Sequence, residues 1–252
     1  MTRQGCGEGE SQPEGYKLGT VARDEASRMS KARKLLALLE REIDLRDARV
    51  LDIGTGAGYI ASALAKRARG VESVDIVDDR IVVDGYRQTI VADENLPFED
   101  DAFDVVVSNH VIEHVHDQER HLREVRRVVK DTGTVYLATP NRLWFRDPHY
   151  GLPFINWLPQ CIADIYLRQF RNRRWDIRPV SPRRLKRLAG TQGLRLEDQL
   201  WVILGEPERY GVVLPAWLVA VLRRTPSPMR SLLTVIAPTQ VKLLRPQGPP
   251  RP

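Results

Sequence analysis

The chain of 252 residues is long enough for one large α/β domain, and 42% hydrophobic with 29% charged residues gives it a sizeable core under a wet surface. Only two cysteines, Cys6 and Cys161, far apart in sequence, indicate neither a disulfide framework nor a cysteine metal cluster. With no apolar run near the start, a secretory signal is not expected and the cytoplasm is the expected compartment.

The first residues, 1–25, are Gly-, Glu- and Gln-rich and read as a disordered segment before one domain spanning 26–245, with 246–252 as a disordered tail. Arg28–Arg41 carries apolar residues at Met29, Ala32, Leu35, Leu36 and Leu39, the spacing of an amphipathic helix. Arg49–Ile53 is a short apolar run closed by glycines, a buried strand. Tyr59–Arg69 supplies the next helix. Ser73–Val77, Thr89–Ala92, Phe103–Ser108 and Thr134–Thr139 read as further strands. Between the last two, a helix from about His116 to Lys130 is capped by Asp117, whose carboxylate can accept first-turn amides. His116 and His121 on this charged helix read as solvated.

Residues 142–180 interleave aromatics, among them Trp144, Phe145, Tyr150, Phe154 and Trp157, with prolines. They read as an insertion that covers the sheet's loop edge and serves as an acceptor lid. Overlapping it, Arg168–Arg187 holds nine basic residues against one acid, Asp176, so the net charge of +6 is concentrated there. Such a cluster suits an anionic membrane, a phosphate-bearing substrate or nucleic acid, with a solvated arginine surface as the plainer reading. Ser181-Pro182 starts a helix, Leu194–Leu204 reads as a strand, and Val235–Leu244 as the last strand. Residues 206–232 form an apolar insertion. Its uninterrupted run Val212–Leu222 is shorter than the roughly 20 residues a bilayer span requires. It reads as a core helix, with a helix lying in a membrane interface as the alternative.

Strands alternating with helices predict a doubly wound, mostly parallel seven-stranded sheet of Rossmann-like form, with the aromatic and basic insertion toward the C-terminal half. Ligands of such sheets bind beyond the carboxyl ends of the strands. At the first of these ends, Asp52 precedes Gly54-Thr55-Gly56-Ala57-Gly58. Glycines two apart lack the extra residue of the dinucleotide fingerprint, but allow close backbone approach to a nucleoside and an amino-acid tail. Asp52 can meet an ammonium group. Asp75 ends the second strand, where a carboxylate can accept from two ribose hydroxyls, and Asp93 ends the third, within reach of an exocyclic adenine amine.

The stretches VLDIGTGAGYIASALAKR, SVDIV, ADENLPFEDDAFDVVVSNHVIEHV and GTVYLATPN together resemble the successive motifs of class I S-adenosylmethionine-dependent methyltransferases, nearest to the broad type 11 group. The resemblance implies S-adenosyl-L-methionine as cofactor, with Asp52, Gly54, Thr55, Gly56 and Gly58 around its methionine part. It places Asp75 and Ile76 at the ribose and adenine, Asp93 and Glu94 at the adenine edge, and Asn109 with His110 beside the reactive methyl. Glu113 and His114 of the IEHV stretch read as structural or pocket-lining. Two departures stand out. The Asp75–Asp93 interval is short by about one helical turn, so the third helix is expected to be stunted, and the residues after Asp93 run one short of the usual pattern.

Transfer from a sulfonium is an in-line displacement that needs alignment and exclusion of water, plus a general base when the nucleophile holds a proton. His110 is the first candidate base and His149, in the lid, the second. No metal is expected. The acceptor is expected to be small or lipid-linked, with possible peripheral contact to an anionic membrane through Arg168–Arg187. Ser108-Asn109-His110-Val111 lacks the Asn-Pro-Pro-Tyr pattern of nucleic-acid amino methylases. Nucleic-acid binding, a non-catalytic cofactor-binding module and a nucleotide-dependent oxidoreductase stand as alternatives.

Overall fold

A computed structural model describes residues 25–147 and 149–248. Seven strands form one sheet in the order β3-β2-β1-β4-β5-β7-β6. They are β1 (Arg49–Ile53), β2 (Gly70–Asp75), β3 (Arg87–Ile90), β4 (Phe103–Asn109), β5 (Val129–Pro140), β6 (Leu194–Asp198) and β7 (Thr239–Pro246). The first five run parallel, and β7 is antiparallel to both β5 and β6. The central strands are buried on both faces, as their runs of valine and leucine require.

Helices α1 (Glu25–Leu39) and α2 (Tyr59–Ala65) cover one face. The opposite face packs on α3 (Gln118–Val128) and α5 (Pro182–Thr191). Asp117 caps α3, accepting from the amides of Glu119 and Arg120 at 3.0 Å each. Ser181 caps α5, with Pro182 in its first turn. His121 is buried rather than solvated: its Nε2 lies 3.0 Å from Ser108 Oγ, and burial pushes its pKa down to about 4. The apolar stripe of α3 faces β4, and His121 falls on that side.

Residues 76–86 form no helix, so the crossover between β2 and β3 is a bare loop, shorter than the stunted helix expected. It lies across the glycine turn, where Ile81 and Val82 donate to Ala57 O at 3.1 and 3.0 Å. Residues 142–180 fold on their own small core of Leu152, Ile155, Ala163, Leu167, Trp175 and Ile177, which includes helix α4 (Gln160–Arg171).

Leu194–Leu204 is not one strand. β6 ends at Asp198, whose Oδ1 accepts the Leu200 amide at 2.8 Å and turns the chain into α6 (Leu200–Gly205). The apolar insertion is not core either. It forms α7 (Ala216–Arg223) and α8 (Ser227–Ile236), neither of which has a buried residue. Helix α8 also takes the start of the segment expected as the last strand. β7 reaches Pro246, and Gln247 N donates to Gly193 O at 2.7 Å, so 246–248 continue the ordered domain. The N-terminal segment up to residue 24 and the tail from 249 lie outside the described residues.

Candidate functional site

The glycine turn sits at the carboxyl end of β1, at the centre of the sheet, where the neighbouring strands β2 and β4 also end. Gly54 N donates to Val74 O at 2.8 Å, which ties the turn to β2. At Gly54 (φ +74°) a Cβ would stand 2.4 Å from Val111 Cγ2, so only glycine fits beneath that side chain. At Gly56 (φ +51°) a Cβ would meet nothing within 4 Å: this glycine faces open space. Gly58, also left-handed, is the N-cap of α2. Thr55 is buried, with its hydroxyl directed to Val74 O at 3.4 Å.

Two carboxylates flank the turn. Asp75 accepts from Gly56 N through Oδ2 and from Ile76 N through Oδ1, both at 2.7 Å, and so holds the turn in shape. Each oxygen keeps a lone pair for a further donor. Asp52 is 1% exposed and its Oδ2 has no hydrogen-bond partner. Burial first, and the charge of Asp75 second, push its pKa up to about 8. A buried, unpartnered carboxylate of this kind is costly unless a cation meets it. Ile76 stands 65% exposed beside Asp75, an apolar face without cover.

The outer acids have local partners. Asp93 accepts from Asn95 N (2.8 Å) and Asn95 Nδ2 (3.1 Å), and lies 3.6 Å from Arg120. Glu94 Oε1 accepts from the amides of His116 and Asp117 at 2.9 and 3.1 Å, pinning the loop before α3. The expected adenine-edge role of Glu94 therefore competes with a loop-pinning one.

Asn109 ends β4 in register with Ala138 of β5. His110 follows in the left-handed region (φ +60°), with its amide donating to Ala138 O at 2.8 Å. A non-glycine residue held there is strained, and such strain clusters at functional sites. Its Nδ1 lies 3.1 Å from Glu113 Oε1. Glu113, fully buried, also accepts from Thr139 Oγ1 at 2.9 Å and sits 3.6 Å from His149 Nε2. Burial alone would raise the Glu113 pKa, but the His110 and His149 rings outweigh it and keep the group ionised. Burial opposes the charged His149 ring, yet the partnership with Glu113 and the charges of Asp147 and Asp176 leave its pKa raised. Asp147 sets the His149 turn by accepting from the amides of His149 (2.9 Å) and Tyr150 (2.7 Å). Both imidazoles remain open on one side, with side-chain exposures of 26% and 28%.

With Glu113 ionised, the proton of His110 belongs on Nδ1, which leaves Nε2 as the free acceptor. His110 and Glu113 are within hydrogen-bond distance; His149 at 3.6 Å is not. One donor atom each of His110, Glu113 and His149 lies within 4.8 Å of the others, a set a divalent cation could share only by displacing the proton from His110 Nδ1. Glu113, read from the sequence as structural or pocket-lining, is buried at the centre of these contacts. Its three-residue spacing from His110 was the available signal, whereas Thr139 and His149 reach it only through the fold. The segment 142–180 is bound to the same loop: Arg178 N donates to Glu113 O, and Arg178 Nη1 to His116 O, both at 2.7 Å.

Residues 22–199 match the family model described as Methyltransferase domain. A probable S-adenosylmethionine-dependent methyltransferase of Mycobacterium tuberculosis is 41% identical over 101 residues, which cover 38% of this chain and 37% of that protein. A ubiquinone biosynthesis O-methyltransferase of Pseudomonas aeruginosa is 33% identical over 116 residues, 41% of this chain and 49% of the relative. The matches thus span about half or less of these relatives' lengths. Among solved structures, an S-adenosylmethionine dependent methyltransferase from Mesorhizobium loti superposes with a TM-score of 0.57 at 14% identity, over 86% of this chain and 99% of that one. A structure of the Haloferax volcanii Trm112 methyltransferase activator in complex with a methyltransferase gives 0.54 at 17% identity, over 89% and 92%. At such identities the structural likeness speaks for the fold.

Proposed function

This chain belongs to the class I S-adenosylmethionine-dependent methyltransferases, and we propose that it transfers a methyl group to a small or lipid-linked acceptor through a site built on Gly56, Asp52, Asp75 and His110. The observation that carries the reading is the pairing of an open-faced glycine with an unpartnered buried carboxylate: Gly56 leaves room for a ligand, and Asp52 Oδ2 needs a cation. These residues fit the family's cofactor.

S-adenosylmethionine, when bound, supplies a methyl group already activated by its sulfonium. The protein's part is to hold, orient and keep dry. Asp52 would meet the positive amino-acid end, with the glycine backbone of Gly54–Gly58 and Thr55 around it. Asp75 would accept from the ribose hydroxyls with the lone pairs that its backbone bonds leave over. Ile76 would lie against the adenine face, with Asp93 at its edge. Asn109 would line the wall at the end of β4. His110 Nε2 would take a proton from an acceptor hydroxyl while Glu113 fixes the ring and steadies its charged form. His149 would serve the same carboxylate from the lid side and help bind the acceptor.

For the acceptor, an aromatic lid tied to the catalytic loop by Arg178 supports a ligand with an apolar or aromatic body. The relatives named for ubiquinone biosynthesis lend support to a small-molecule acceptor. All nine basic residues of Arg168–Arg187 are exposed, which supports peripheral contact of the lid with an anionic membrane from the cytoplasmic side. No helix among the described residues is long and apolar enough to cross a membrane.

Replacing His110 with Ala tests the catalytic assignment, with methyl transfer and cofactor affinity measured separately. We expect turnover to fall by about 10² or more with cofactor affinity kept. Unchanged turnover would remove His110 from the mechanism.

A further inference from the structure

Among the described residues, α7 and α8 are the two helices with no buried residue. Helix α7 reads Ala-Trp-Leu-Val-Ala-Val-Leu-Arg, apolar on all sides until its last residue, and a helix of that kind is ordinarily buried. Here Val213 ahead of it is 96% exposed and Trp217 68%, and Val221, Met229, Leu232 and Ile236 are exposed too. Both helices are tied to the domain by polar contacts. Trp201 Nε1 donates to Thr234 Oγ1 at 2.9 Å and Arg223 Nη2 to Gly205 O at 2.9 Å. Asn141, directly after β5, donates through Nδ2 to Val235 O and Ala237 O at 2.8 Å each. Asn141 lies two residues beyond Thr139, so the hairpin is fastened at the same sheet edge as the Glu113 cluster.

Charge identifies what covers this surface. After Glu208 the sequence has no acid at all, and Arg223, Arg224 and Arg230 frame the hairpin, while Arg209 pairs with Glu206 at 3.2 Å and Arg230 also donates to Thr225 O and Arg223 O. A second copy of the chain seated by two-fold symmetry would bring the same arginines against one another. An anionic lipid surface satisfies both features at once: acyl chains take Trp217 and the aliphatic side chains, and head groups take the arginines. We propose that the α7–α8 hairpin is a membrane anchor that lies in the interface of an anionic bilayer and sets the acceptor-binding edge of the sheet against it. That the edge so placed binds the acceptor rests on the methyl-transfer reading; the anchoring itself rests on the hairpin alone and is separate from the electrostatic contact of Arg168–Arg187.

Co-sedimentation of the full chain with vesicles of phosphatidylglycerol and phosphatidylcholine, against vesicles of phosphatidylcholine alone, tests it at low and high salt. Contact through exposed arginines is screened away by salt, whereas inserted apolar side chains hold. Wild-type protein should bind the anionic vesicles with a component that survives high salt. The Val213→Glu/Trp217→Glu/Leu232→Glu variant should lose that component by about tenfold or more. Adenosylhomocysteine binding and molecular mass, measured on both proteins, separate loss of fold and loss of a dimer from loss of anchoring. Equal salt-resistant binding by both proteins would overturn the proposal. So would the absence of vesicle binding by wild type, or a wild-type dimer that the variant converts to monomer.

Discussion

The two halves of the molecule are incomplete in opposite senses. Around β1 and β2 the chain buries a carboxylate, Asp52, that it gives too few partners. Beyond Gly205 it leaves in water an apolar hairpin of the kind it buries elsewhere. Each arrangement costs free energy in isolation, the first through desolvation of a charge and the second through exposed apolar surface. A fold retains such features where something else completes them, and the sign of the deficit names the missing chemistry: a cation in the first half, an apolar medium in the second.

Variants at the glycine turn should change cofactor binding, while those on the hairpin should leave stability alone. The largest effect is expected at Asp75. Two charge-assisted hydrogen bonds at about 1.5 kcal/mol each amount to about 3 kcal/mol, so Asp75→Ala should weaken adenosylhomocysteine binding about a hundredfold by calorimetry. Binding within a factor of about three of wild type would break the ribose assignment.

Asp52→Asn should move two quantities in opposite directions. Cofactor affinity should fall about tenfold, and the free protein should gain on the order of 1–2 kcal/mol at neutral pH. The sign follows from its raised pKa of about 8 against the ordinary 3.8. Between those values the folded state holds a proton that the unfolded chain has released, so this position takes away stability as pH rises from about 4 through 8. Denaturant unfolding across that range should show the loss in wild type and a shallower slope in the variant. Identical slopes would mean that Asp52 is not the strained group. The smallest effect belongs to Val213→Asp, whose side chain is almost wholly exposed. Unfolding free energy should shift by no more than about 0.5 kcal/mol. A larger loss would show that the hairpin is part of the domain's own core after all.

The same contrast explains what the sequence disclosed. Gly54, Gly56, Gly58 and Asp75 were legible because a glycine turn between a buried strand and a helix is local chemistry, and sheet topology places the next strand's end beside it. Asp117 and Ser181 were legible for the same reason, since a cap acts on amides two or three residues away. Where tertiary contacts decide, reading failed. The apolar run of α7 carries no label that tells a core from a membrane interface. Leu200–Leu204 suits a strand by side-chain type, yet Asp198 turns it into a helix. Glu113 gained its partners only when the fold brought Thr139 of β5, and His149, to a carboxylate 26 and 36 positions away in sequence.

Under the proposed function, the turn at Gly56 and the carboxylates beside it hold a nucleoside with a charged tail. Isothermal titration of the folded, purified protein with adenosylhomocysteine addresses it most directly. Saturable one-site heat, absent with NAD, is the predicted result; a flat titration with both the donor and its demethylated product, on protein that is folded by circular dichroism, would contradict it.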